Sequence, residues 1–117
     1  MSFDWVEYVK LAEELQKQAD ESYLRSSISR AYYGVFCIAR NKKGYKNYTK
    51  SDIHWKVIGE YKNSISRDEQ LVGKFLDDLR KERNDADYNE NKLIKKQLTE
   101  RTVLKAKEIL EYFGINL

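Results

Sequence analysis

Ser66-Arg67-Asp68-Glu69-Gln70-Leu71-Val72-Gly73-Lys74-Phe75-Leu76-Asp77-Asp78-Leu79-Arg80-Lys81-Glu82-Arg83-Asn84-Asp85-Ala86-Asp87-Tyr88 is the stretch that decides the fold. Ser66, with Glu69 three residues later, is a capping-box opening for a helix. Leu71, Val72, Phe75, Leu76, Leu79 and Ala86 then recur at about 100° per residue, which makes one apolar stripe. Arg83 falls inside that stripe. A guanidinium there is costly unless it is paired, hydrogen-bonded or reaching into a wet cleft. Asp87, one turn on, can pair with it, and Asn84 and Asp85 stand close by. Two readings follow: an intrahelical ion pair at a frayed edge of the core, or a polar functional cluster set into an apolar seam.

Working outward, the same period marks four more helices. Asp4, with Glu7 as capping-box partner, opens the first, whose apolar residues are Trp5, Tyr8, Val9, Ala12 and Leu15. The second runs from about Ser22 to Asn41, with Leu24, Ile28, Ala31, Val35, Ile38 and Ala39 on one side and Arg30, Tyr33 and Cys37 projecting from the other. Apolar residues on so much of its circumference predict a central helix packed on more than one neighbour. A short third helix, Asp52 to Asn63, turns Val57, Ile58 and Tyr61 inward. The last runs from about Lys95 to Phe113 with Gly114 as its stop. No segment reads as a strand, so the expected fold is an all-α, five-helix up-and-down bundle.

Composition bounds the function. The 117 residues suffice for one modest core, so a single domain over 1–117 is expected. The absence of proline and the scarcity of glycine favour helix. A formal charge of +3 permits nucleic-acid binding without predicting it. One cysteine excludes an internal disulfide framework. One His and one Cys far apart cannot supply a usual zinc ligand set. The N-terminus carries acid where a secretory signal carries base, and no apolar run approaches membrane-spanning length. A cytoplasmic protein with no membrane association, no metal and no cofactor is the expectation.

Two segments together resemble the HEPN family. Ser29-Arg30-Ala31-Tyr32-Tyr33-Gly34-Val35-Phe36 looks like that family's Ser-Arg-Ala-Tyr-Tyr-x-x-Phe pattern. Leu79 to Tyr88 is similar to its late-helix signature, in which an Arg is followed by Asn, Asp or His and then, a turn or more later, by His. His54, opening the third helix, also sits where many relatives have a histidine. The order of these features covers residues 3 to 113, nearly the whole chain.

The resemblance implies a HEPN-like bundle that forms a homodimer. In catalytic members, Arg and His from both subunits face one cleft and cleave RNA without metal. The Arg holds the scissile phosphate, and the His moves the proton of the 2′-hydroxyl. Members serve as toxins of toxin–antitoxin pairs, in phage defence, or as partners of small nucleotidyltransferases. Carried onto this chain, Arg83, Asn84 and Tyr88 occupy the catalytic positions. Arg80, Arg83, Arg30, Tyr33 and His54 are the candidates for RNA, nucleotide or phosphate binding. Four residues separate Arg83 from Tyr88, which stands where the nearest His would be, and no His follows His54. A phenol titrates near pH ~10, far above the near-neutral value suited to a general base. The retained half of the signature therefore implies phosphate binding, and leaves cleavage open beside a second reading, a non-catalytic module that docks a partner.

Three further features have two readings each. His54 is either an acid–base group contributed from another helix or a structural histidine. Arg30 and Tyr33 either line the cleft beside Arg83 or bind a neighbouring helix. The loop from Arg40 to Lys50 interleaves lysines with Tyr45 and Tyr48, as a platform for phosphates and bases or as tyrosines folded onto the bundle. Cys37 lacks any neighbour that would activate a thiol.

Overall fold

A computed structural model describes residues 2–117 and consists of five helices: α1 (Val6–Leu15), α2 (Glu21–Lys42), α3 (Ile53–Lys62), α4 (Arg67–Tyr88) and α5 (Lys96–Tyr112). They form an all-α, up-and-down bundle with no strand among the described residues. α2 is its axis: it is the one helix in contact with all four others. Its burial follows, with Leu24, Ile28, Ala31, Tyr32, Val35, Phe36 and Ala39 all in the interior. Val57, Ile58 and Tyr61 of α3 and Val72, Leu76 and Leu79 of α4 close on it, with Val103, Ala106, Ile109 and Leu110 of α5. A smaller apolar cluster of Leu24, Ile28, Ala86 and Ile94 seals the end where α4 turns into α5.

Two glycines set the closest helix approaches. A Cβ on Gly34 would meet Val9 Cγ2 at 2.7 Å and the Trp5 carbonyl oxygen at 3.1 Å, so α1 lies directly on the α2 backbone. A Cβ on Gly73 would stand 2.5 Å from the Lys62 backbone nitrogen, so the end of α3 rests on α4. Buried hydroxyls tie the same helices together. Ser27 Oγ donates to the Ala12 carbonyl at 2.7 Å and Tyr61 to the Ala39 carbonyl at 2.9 Å, which leaves neither polar group orphaned.

Several local expectations are corrected. α1 begins at Val6, not Asp4: the Asp4 carboxylate accepts from the Val6 amide at 3.1 Å, and Glu7 pairs with Lys10 instead of closing a box. Ser66 does cap α4, accepting from the Glu69 amide at 3.3 Å. The return arm of that box is absent, because the Glu69 carboxylate is taken by Lys43 at 2.9 Å and Ser64 at 2.6 Å. Cys37, on the side of α2 opposite its main stripe, is buried in the core because neighbours cover that side too. Burial raises its thiol pKa, which fits an inert side chain. Gly114 ends the last helix with a positive φ of 74°, as expected of a C-terminal stop.

Candidate functional site

The site is built where the middle of α2 faces the second half of α4. Arg83 is not at a frayed edge: its side chain is only 15% exposed. Its Nε donates to Asp87 Oδ2 at 2.8 Å and a terminal nitrogen donates to Asn84 Oδ1 at 3.0 Å. Ser29 on α2 donates to the same Asp87 oxygen at 3.2 Å, which locks the acceptor against the neighbouring helix. The guanidinium plane is flanked by rings, with its carbon 4.8 Å from the Tyr33 centroid and 5.4 Å from that of Tyr88. The Ser29–Phe36 and Leu79–Tyr88 segments therefore meet in space. Asp85 is not part of this group; it pairs with Lys92 at 3.0 Å, and that contact lowers its pKa.

From Arg83 a row of rings and guanidiniums runs back toward α1. Arg30 lies 4.6 Å over the Tyr8 ring and 5.8 Å from the Tyr33 ring, so it both faces α1 and shares Tyr33 with Arg83. Beyond it, Tyr8 packs edge-on against Trp5 at 5.1 Å, and Arg40 lies 5.9 Å from the Trp5 ring. Each such pair contributes about 0.5–1 kcal/mol at a partly exposed site. Stacking covers the face of a guanidinium and leaves its N–H edges free. Arg30 makes no hydrogen bond or ion pair to any described acceptor. Tyr88, 75% exposed, forms the outer end of the row.

His54 lies on the α3 side. Its ring stacks on Phe36 with centroids 4.2 Å apart, and Nδ1 is 2.6 Å from the Tyr32 hydroxyl. Tyr32 is fully buried, and burial raises its pKa, so the phenol keeps its proton. We assign that proton to the bond with His54 Nδ1, which accepts; Nε2 then carries the ring hydrogen. Burial, reinforced by the positive charges of Arg80 and Arg83, pulls the His54 pKa down to about 4. The imidazole is thus neutral near pH 7, held by packing, and lies within the field of two guanidiniums. His54 is structurally anchored, and the charges of Arg80 and Arg83 reach it.

Arg80 differs from Arg83 in having no hydrogen-bond or ion-pair partner among the described residues. It lines a cleft of about 260 Å³ between α3 and α4 with Trp55, Lys62, Asn63 and Asp77. The loop tyrosines take no part. Tyr45 donates to Glu60 and Tyr48 donates to Asp52 at 2.6 Å, so both fold onto the bundle rather than forming a platform.

One residue that pattern reading misses fixes the end of the site. Arg25 on α2 donates to Glu21 at 3.0 Å, and to the carbonyls of Asp85 at 3.1 Å, Ala86 at 2.9 Å, Asn89 at 3.0 Å and Lys92. Glu21 also accepts from the Ile94 amide at 3.1 Å. Of the two α4 carbonyls that Arg25 meets, Asp85 also accepts from the Asn89 amide at 2.9 Å, whereas the donor to Ala86 is the Arg25 side chain, some sixty residues earlier in the chain. The one hint in the sequence is the i,i+4 spacing of Glu21 and Arg25, which marks a pair without naming its target.

Among the described residues no cluster of His, Cys, Asp and Glu has metal-binding geometry, and no helix is long and apolar enough to cross a membrane. Comparison with protein-family models, with curated proteins and with solved structures gives no match to this chain.

Proposed function

We propose that this is a HEPN-type protein of the cytoplasm that binds a phosphate group of RNA or a nucleotide through Arg80 and Arg83. The observation that carries the reading is Arg80, a guanidinium without an acceptor beside a second one that retains unpaired N–H groups. Two like charges near a neutral His54 are unfavourable alone, and a phosphate between them relieves that cost. Asn84 and Tyr88 border the same anion, and Tyr33 keeps Arg83 flat. In the homodimer that the resemblance implies, two copies of Arg83 face one cleft, in a toxin–antitoxin or defence setting.

Ribonuclease action is the stronger form of this proposal. It requires a group that takes the 2′-hydroxyl proton while the 2′-oxygen attacks phosphorus and the 5′-oxygen leaves. Tyr88 is a poor base, and His54 becomes a better one only when a bound anion offsets Arg80 and Arg83 and raises its pKa. Incubating the protein with total RNA, beside Arg83→Ala and His54→Gln variants, tests cleavage; both variants should lose it. Titrating labelled RNA and adenosine monophosphate tests binding. Absence of binding to both would end the proposal.

A second reading rests on Tyr88 standing in the histidine position. On that reading the chain is a non-catalytic helical module that dimerises through α4 and docks a nucleotidyltransferase or antitoxin partner. Co-purification with such a partner, unchanged by Arg83→Ala, favours it over the nuclease.

A further inference from the structure

We propose that Arg30 takes a phosphate next to the one at Arg83, so that the ligand is a single-stranded polynucleotide lying along the α1–α2–α4 face. This rests on the reading of Arg83 as a phosphate site and extends it from one phosphate to a row. Tyr33 carries Arg83 on its ring at 4.8 Å and Arg30 at 5.8 Å, so two guanidiniums are held beside one side chain. Arg30 is fixed by ring contacts alone, with the Tyr8 ring centroid 4.6 Å from its guanidinium carbon. An arginine meant only to join α1 to α2 gains most by bonding a carboxylate or carbonyl, as Arg25 does. Arg30 instead has its planes covered and its donors unused, which is the presentation a phosphodiester needs.

The row continues with Arg40, whose Nε donates to Asn41 Oδ1 at 3.0 Å and whose terminal nitrogens have no acceptor among the described residues. Arg40 lies 5.9 Å from the Trp5 ring, and Phe3, 52% exposed, packs edge-on against both Trp5 and Tyr8. Positive charge repeated between aromatic rings matches a ligand whose phosphates repeat and whose bases are free to stack. A mononucleotide would use only the Arg83 end. Asp87 is the one carboxylate bonded to a guanidinium of the row, and it is committed to Arg83 and Ser29.

Anisotropy titrations with labelled uridine dinucleotide and octanucleotide at several salt concentrations test the inference. The protein should bind the octanucleotide more tightly. Arg30→Gln should weaken octanucleotide binding about tenfold and reduce the log–log salt slope by about 0.7, the single-strand value for one phosphate. Dinucleotide binding should be unchanged in that variant, whereas Arg83→Gln should weaken both. Arg30→Lys, which keeps the charge, should retain the slope. An octanucleotide affinity unaffected by Arg30→Gln, or no tighter than that for the dinucleotide, overturns the row and leaves the Arg83 site standing. Binding to neither oligonucleotide removes both. Sedimentation of the same samples covers the remaining case. If Arg30→Gln converts a dimer to monomer and binding falls only in step, the face is a seam between copies and the proposal fails.

Discussion

At the C-terminal end of α4, the Arg25 guanidinium is enclosed by one carboxylate and four carbonyl oxygens; on the same helix, Arg83 has two acceptors and Arg80 has none. All three are partly buried arginines within one small bundle. The difference lies in what their donors have to do. Arg25 meets four carbonyls, of which Asp85 and Asn89 also accept backbone amides while Ala86 and Lys92 take their bond from it, so its charge is used up in closing the α4–α5 turn. Arg80 and Arg83 sit where the fold supplies too few acceptors, so their capacity is turned outward. Counting unsatisfied donors thus separates an arginine that holds the structure from one that can hold a ligand.

The largest effect should come from the saturated side. Arg25→Ala should lower unfolding free energy by about 3 kcal/mol in urea denaturation, because several carbonyls and Glu21 lose their partner together. A loss below about 1 kcal/mol would place Arg25 in the same class as the surface arginines. Gly73→Ala comes next: the added methyl meets the α3 backbone, and the cost should be about 2 kcal/mol despite alanine's better helix propensity. Arg83→Ala should cost about 1 kcal/mol, the loss of a partly buried pair, while reducing RNA affinity at least about tenfold. Arg80→Gln should be within about 0.5 kcal/mol of the parent in stability and still lose phosphate affinity. If Arg80→Gln proves as destabilising as Arg25→Ala, the contrast between the two regions collapses.

Acidity sharpens the same contrast. His54 titrates from about 6.5 unfolded to about 4 folded, so the unfolded chain binds the extra proton between those values. Stability should therefore fall as pH drops from about 6.5 toward 4 and should not depend on this group above 6.5. His54→Gln should flatten the upper part of that window. Glu21, Glu69 and Asp85 have lowered pKa values from their hydrogen bonds, so their contribution is lost only below the ordinary carboxylate range. Denaturation midpoints at pH 7, 6 and 5 in both proteins distinguish the two groups.

Five helices were legible in the sequence because apolar spacing is a local property, and nothing in the chain contradicts it. The start of α1 was missed because Glu7 pairs with Lys10 and does not close a box on Asp4. Ser66 caps α4 as its spacing says, even though Lys43 and Ser64 take the Glu69 carboxylate. Cys37, on the side of α2 away from its main stripe, is buried as well, as the apolar circumference of a central helix with neighbours all round implies. Arg83 was legible as an anomaly within its own helix, and Asp87 and Asn84 follow from spacing. The approach of Tyr33, Ser29 and His54 needs the tertiary fold, although the resemblance had already singled out their segments. Arg25 was illegible for a plain reason: backbone carbonyls are its main partners, and every residue type carries one.

Gly34 has a consequence for motion. α1 is laid on α2 at that position and touches only α2 and α5, so like α3 it has two neighbouring helices where α4 and α5 have three. Its amides should exchange with deuterium through a partial opening of lower free energy than that governing the centre of α2. Each such opening withdraws Trp5 and Tyr8 from Arg40 and Arg30. The outer half of the row then has an opening equilibrium of its own, and a strand lying on it would slow exchange in α1 while leaving α3 unaffected.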